Sequence, residues 1–139
     1  IIWIALPTEF AFEMKNNSND TMKIIWDECS FVDNENHTQR IMHIGIKYNE
    51  RDRPMPPSVI PKDVKIKDIF FPTNLVYFSE YKYSHGWQRN DIFIRKVNFD
   101  KKTNQPNFSP DIYKTILTVE VGESKYTYIF SFKTKVVEK

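Results

Sequence analysis

A single cysteine, Cys29, stands among 139 residues, so no intramolecular disulfide can form and the fold must rest on its core. A lone cysteine inside a strand pattern reads as a small buried hydrophobe. Reactive thiols need an electropositive, partly exposed setting, and no partnering histidine can be placed beside this one. Glycine is scarce too, at three residues. That leaves too few for a G-x-S-x-G elbow with an oxyanion loop, and no phosphate-cradling G-x-x-x-x-G-K or G-x-G-x-x-G run occurs. The histidines His37, His43 and His85 form no His-x-x-x-His pair, and there is no cysteine pair. Asp33-Asn34-Glu35-Asn36 lacks the glycine and the terminal glutamate of a calcium loop and reads as an exposed turn. No metal or other cofactor is expected. A pair of carboxylates facing each other in a cleft is the one catalytic arrangement left open.

Charge of one sign is absent as well. The 20 basic and 18 acidic residues are interspersed and give a net charge of +2. A nucleic-acid binder of this size shows a basic stripe, so no nucleic-acid partner is expected. Long hydrophobic runs are missing. The six apolar residues at positions 1–6 fall far short of the ~20 that span a bilayer. They also lack the charged flank and cleavage site of a signal peptide. The chain opens on Ile1 rather than Met, which suggests a processed or partial chain.

What is present is aromatic. Eleven Phe, seven Tyr and three Trp bring the aromatic content to 15%, too high for a disordered chain. The length suits one domain over residues 1–139. The most informative stretch is residues 10–27. Phe10, Phe12 and Met14 alternate with polar neighbours, an Asn/Ser/Asp turn follows, and Met22, Ile24 and Trp26 alternate again. This predicts an opening hairpin of strands 8–16 and 21–26, preceded by a short strand at 1–6 that Pro7 ends. A kink at Asp27-Glu28 leads into a strand at 29–33, and another strand is expected at 38–48. Pro54, Pro56, Pro57 and Pro61 make 51–61 a sheet-to-sheet crossover. Further strands are expected at 64–71 and 75–83, a mixed segment at 87–97 and a loop at 101–110. A closing hairpin pairs 111–121 with 126–137, its inward set being Ile116 or Leu117, Val119 and Val121 against Tyr128, Phe130 and Phe132. No segment carries a helical apolar period. The fold expected is an all-β, antiparallel immunoglobulin-like sandwich of about 7–9 strands. Its core includes Phe10, Phe12, Ile24, Trp26, Phe31, Phe130 and Phe132.

Two clusters compete for function. Trp26-Asp27-Glu28 could line a sugar site, but Trp26 is in phase with the core stripe and reads as core. Tyr81, Tyr83, His85 and Trp87 lie in and around a loop, where aromatics anchor partners or stack on a glycan. N-x-[ST] sequons stand at Asn16, Asn19, Asn36 and Asn107.

The runs Phe10-x-Phe12-x-Met14-x-Asn16-Asn17-Ser18, Ile24-Ile25-Trp26-Asp27-Glu28 and Ser30-Phe31-Val32-Asp33 carry a resemblance. So do Met42-His43-x-Gly45-Ile46-Lys47-Tyr48 and Pro56-Pro57-Ser58-Val59-Ile60-Pro61 followed by Phe71-Pro72-Thr73. Over roughly residues 3–87 the chain resembles a group of bacterial cell-envelope proteins, many of them predicted lipoproteins, with sandwich domains of the WHy and FxLYD types. The resemblance implies no catalytic residue. It implies a non-enzymatic structural or interaction module of the envelope, in the periplasm or at the outer membrane, a subunit or accessory protein of a larger assembly. Its partners would be other envelope or surface proteins, met by edge-strand pairing. The acylated cysteine of such proteins would have to lie upstream of Ile1, because Cys29 sits inside the fold. The alternative is a carbohydrate-binding module built on the loop aromatics.

Overall fold

The computed structural model describes residues 1–93, 98–99, 101–103, 106–107 and 110–135. Strands β1 (Ile2–Leu6) and β2 (Glu9–Lys15) form the true opening hairpin, joined at Pro7-Thr8. Along β2 the even positions Phe10, Phe12 and Met14 are buried, as the alternation requires. Next come β3 (Met22–Ile24), a single 3-10 turn at Trp26–Glu28, β4 (Ser30–Val32), β5 (Thr38–Gln39) and β6 (Ile41–Met42). After the proline segment follow β7 (Ser58–Ile60) and β8 (Lys65–Pro72). Then come β9 (Val76–Ser79), β10 (Gly86–Arg89), β11 (Asn98–Phe99) and β12 (Pro106–Asn107). The long strands β13 (Ile112–Val121) and β14 (Ser124–Lys133) close the chain.

The strand pairs are antiparallel. One sheet runs β1-β2-β8-β6. In the other, β14 pairs one side of β13, while β3 and β4 share its opposite side and lead out to β7 and β5. The expected antiparallel sandwich is therefore the observed one. Between the sheets Phe10, Phe12, Met14 and Phe70 meet Ile24, Phe31, Ile60, Tyr113, Leu117 and Val119. The rings of Phe10 and Phe31 lie 6.0 Å apart across that layer. Phe130 and Phe132 are half-buried at its border. Trp3 bridges the edge strands β1 and β14, with its ring 5.2 Å from Phe130 and 5.8 Å from Phe132.

Several expectations are corrected. The strands of residues 10–26 do not pair with each other: β2 pairs β1 and β8, whereas β3 pairs β13 and β7. The connecting turn is an arch between sheets, held by Asn16, which is 0% exposed. Its side-chain amide donates to the carbonyls of Asp20 (2.8 Å) and Ile60 (2.9 Å), and its Oδ1 accepts from the N–H and hydroxyl of Ser18. Its backbone N–H reaches the Val64 carbonyl at 3.0 Å. A side chain so enclosed is no glycan acceptor in the native fold. The sequon side chain of Asn107 lies outside the described residues.

The expected strand 38–48 breaks at Arg40, where the chain leaves one sheet for the other: β5 pairs β4 and β6 pairs β8. The Arg40 guanidinium ties this switch to the proline segment, donating to the carbonyls of Arg51 and Arg53 and to Asp27 Oδ1. Gly45, at φ +90°, then turns the chain out of extended geometry. The strand expected at 75–83 ends at Ser79. The loop expected at 101–110 contains β12, and residues 94–97 and 136–137 of the remaining expectations fall outside the described residues.

Other readings hold. The kink at Asp27-Glu28 is the 3-10 turn between β3 and β4. Asp33 Oδ1 accepts from the N–H groups of Glu35 and His37, both at 2.9 Å, as an Asx-type turn should. Residues 51–61 do cross between sheets, although Ser58–Ile60 inside them pairs as β7. In the closing hairpin Leu117, rather than Ile116, is the inward residue, whereas Tyr128 opposite it is exposed rather than inward. Gly122 opens the two-residue loop at φ +59°, with the Asp20 carboxylate 3.2 Å from where a Cβ would sit.

Candidate functional site

Three places bring chemistry-bearing residues together. The first is the side of the sandwich where β1 and β14 lie over one another. Both strands are edges: β1 pairs only β2, and β14 pairs only β13, among the described residues. β14 therefore presents one side of a ten-residue ladder without a partner. Its exposed side chains include Tyr126, Tyr128 and Ile129, the last at 62%, with Lys125 and Lys133 near its ends. On β1, Ile2 and Ile4 face outward. The rings of Tyr126, Tyr128 and Phe130 follow one another at 6.4 Å spacings along β14. They lead into a cleft between the sheets of about 230 Å³, lined by Ile1, Met14, Lys15, Met22, Leu117, Val119, Tyr128 and Phe130.

The second place is the β9–β10 hairpin, which carries the loop aromatics. Tyr81 is 79% and Tyr83 94% exposed. Lys82 Nζ lies 5.7 Å from the Tyr83 ring centroid. Trp87 stands opposite Phe78 in the register and packs against it at 5.4 Å and 80°. Tyr48 meets the same indole at 5.9 Å and 48°, and the Arg51 guanidinium sits 5.4 Å from its centroid. His85 packs edge-on against Phe78 at 5.2 Å. Trp87 is thus packed at an angle to both of these aromatic neighbours.

The third place is buried and was not foreseen. His43 stacks on Trp26 with centroids 4.0 Å apart and planes 8° from parallel. Its Nδ1 lies 3.1 Å from Asp68 Oδ2, while Asp68 Oδ1 accepts the N–H groups of Ile44 (2.9 Å) and Ile69 (2.7 Å). The Nε2 of His43 is buried and has no hydrogen-bond partner among the described residues. The carboxylate orients the imidazole, and the imidazole covers one face of the indole. Trp26 itself is fully buried, and its Nε1–H donates to Ser58 Oγ at 2.8 Å. Sequence offered only one hint of this cluster, the polar His43 inside an apolar run, because its partner lies 25 residues away.

Asp27 and Glu28 are occupied structurally. Asp27 accepts the Met55 N–H at 3.0 Å and pairs with Arg40 at 3.2 Å, and Glu28 pairs with Lys125 at 3.0 Å. Cys29 is buried beside them, its thiol donating to the Ile25 carbonyl at 3.3 Å. Burial pushes that thiol up to about 12 from an ordinary 9.0, against the pull of the Thr118 N–H, and the Glu28 and Asp27 carboxylates add to the rise. The native thiol is therefore expected to resist a disulfide reagent at pH 8 and to react fully once the chain is unfolded. The linkage has a definite sign. The group stabilises the fold below pH 9, and that contribution is lost as pH climbs from 9 toward 12. Wild type should lose stability over this window faster than Cys29→Ala, as read by urea unfolding of both at pH 8 and pH 10.

No group of three or more His, Cys, Asp or Glu poised to hold a metal occurs among the described residues, and no described helix is long and apolar enough to cross a membrane. Compared with protein-family models, with curated proteins and with solved structures, the chain matches none.

Proposed function

We propose that this protein is an interaction module of the bacterial cell envelope that takes on a partner by strand addition at β14. The observation that carries the reading is the ten-residue edge of β14, which pairs only β13 among the described residues. Protein surfaces normally blunt such an edge with an inward charge, a proline or a bulge. β14 contains no proline, and its two lysines stand near its ends. An extended segment laid along it would gain main-chain hydrogen bonds, and its side chains would meet Tyr126 and Tyr128 on one face and Ile129 on the other. The envelope assignment rests on the resemblance of residues 3–87 to envelope sandwich domains, and a non-catalytic role follows from the same resemblance.

Ile129→Lys tests the site. Position 129 is exposed, so thermal stability should change by no more than about 0.5 kcal/mol. A charge at mid-edge should nonetheless sever the association with the native partner. If the variant is as stable as wild type and retains the partner in full, β14 is not the docking strand.

A further inference from the structure

We propose that the cleft between the sheets, where the end of β2 faces β3, β13 and β14, binds the alkyl chain of a single-chain carboxylate amphiphile, with Lys15 at the rim holding the carboxylate. The site shares Tyr128 with the docking face but differs from strand addition, since the ligand would occupy space between the sheets rather than the outer ladder. Seven of the eight lining residues are apolar or aromatic: Ile1, Met14, Met22, Leu117, Val119, Tyr128 and Phe130. The volume of about 230 Å³ exceeds the ~150 Å³ of an apolar cavity that admits benzene, and it falls below the ~300 Å³ at which drug-sized pockets begin. One alkyl chain fits such a space and two do not.

The eighth residue chooses the head group. Lys15 is exposed and takes part in no ion pair among the described residues, whereas nearby Lys65 and Lys67 are both held by Glu13. A lysine lays its methylenes along apolar surface and keeps its ammonium in water. The charge is then available to an anion at the mouth of the cleft. A neutral chain would leave it unused, and a cationic head group would be repelled. The two thioethers, Met14 and Met22, come from opposite sheets and can adjust to a flexible chain.

Decanoate and decanol, both kept below the concentration at which they self-associate, are the probes, read by NMR shifts of the methionine methyl groups. Decanoate should bind saturably at one site, with the shifts centred on Met14 and Met22. Lys15→Gln should weaken decanoate by up to roughly fivefold, the upper end for an exposed ion pair, and leave decanol unchanged. Met22→Trp, which fills the cleft from a half-buried position, should abolish both. Lys15 is exposed, so its variant folds whether or not Met22→Trp does. Shifts that fail to saturate, decanoate binding indifferent to Lys15, or wild-type binding by a folded Met22→Trp would each overturn the proposal.

Discussion

Replacing Trp26 with alanine is expected to destabilise the protein by about 3–5 kcal/mol, the range for removing a large buried aromatic. The indole is fully buried: Phe12 lies 6.2 Å and Phe70 6.4 Å from it in one sheet, His43 is stacked on its face at 4.0 Å, and Ser58 of β7 in the other sheet accepts its N–H. Truncation opens a cavity, and it also removes the Nε1–H donor of Ser58 and the ring that covers His43. Domains are stable by only about 5–15 kcal/mol, so the loss takes a large share of the total. Trp26→Phe should be far milder. It retains most of the apolar volume and forfeits chiefly the bond to Ser58, at a cost of about 1–2 kcal/mol. Urea unfolding of the two variants checks the ordering. Equal losses would mean that the hydrogen bond, and not the volume, dominates at this position.

Asn16→Leu is the second large effect, expected at about 2–4 kcal/mol, although it adds apolar surface to a buried position. The amide satisfies two carbonyls, those of Asp20 and Ile60, and its oxygen serves the Ser18 N–H. Leucine fills a similar space but takes this partner from the buried Ile60 carbonyl and from the Ser18 N–H, while the Asp20 carbonyl keeps the Ser18 hydroxyl, and each buried orphan costs about 1–3 kcal/mol. Asn16→Asp should be no better, because it turns a carboxylate toward two carbonyl oxygens. Substituting the exposed Asn19 with leucine should be nearly neutral, which separates loss of the clamp from a general loss of turn polarity. Thermal unfolding of the three variants reads this directly. A leucine variant as stable as wild type would show that the arch does not depend on its amide.

These two residues also mark how far the sequence can be read. Trp26 continues the Met22/Ile24 stripe, and its burial follows from that phase alone. Asn16 sits in a turn-forming run that looks the same whether it joins partners in one sheet or crosses between two. Alternation assigns a residue to a face, but it does not say which strand lies alongside. The closing hairpin was legible because Gly122 marks its loop and both flanks alternate over ten residues. The break at Arg40 was not. Its cause is a guanidinium reaching carbonyls 11 and 13 residues away, in a segment the sequence shows only as proline-rich. The His43–Asp68 pair was hidden for the same reason, as neither residue has a local partner that betrays it. Of the proposed sites, Tyr81 and Tyr83 are exposed because the strand expected at 75–83 ends at Ser79 and leaves them beyond it. The cleft beside β14 depends on which strands become edges, and that is a property of the assembled sheets.

The central claim is that β14 is a docking strand. It is tested most directly by mild extraction of the full-length protein from its native host, followed by size determination of wild type and Ile129→Lys in parallel. Wild type should run with a partner at a mass well above the 16.7 kDa of this chain, and the variant should run without it while melting at the same temperature. Wild type running alone, or both proteins running with the same partner, would contradict the account.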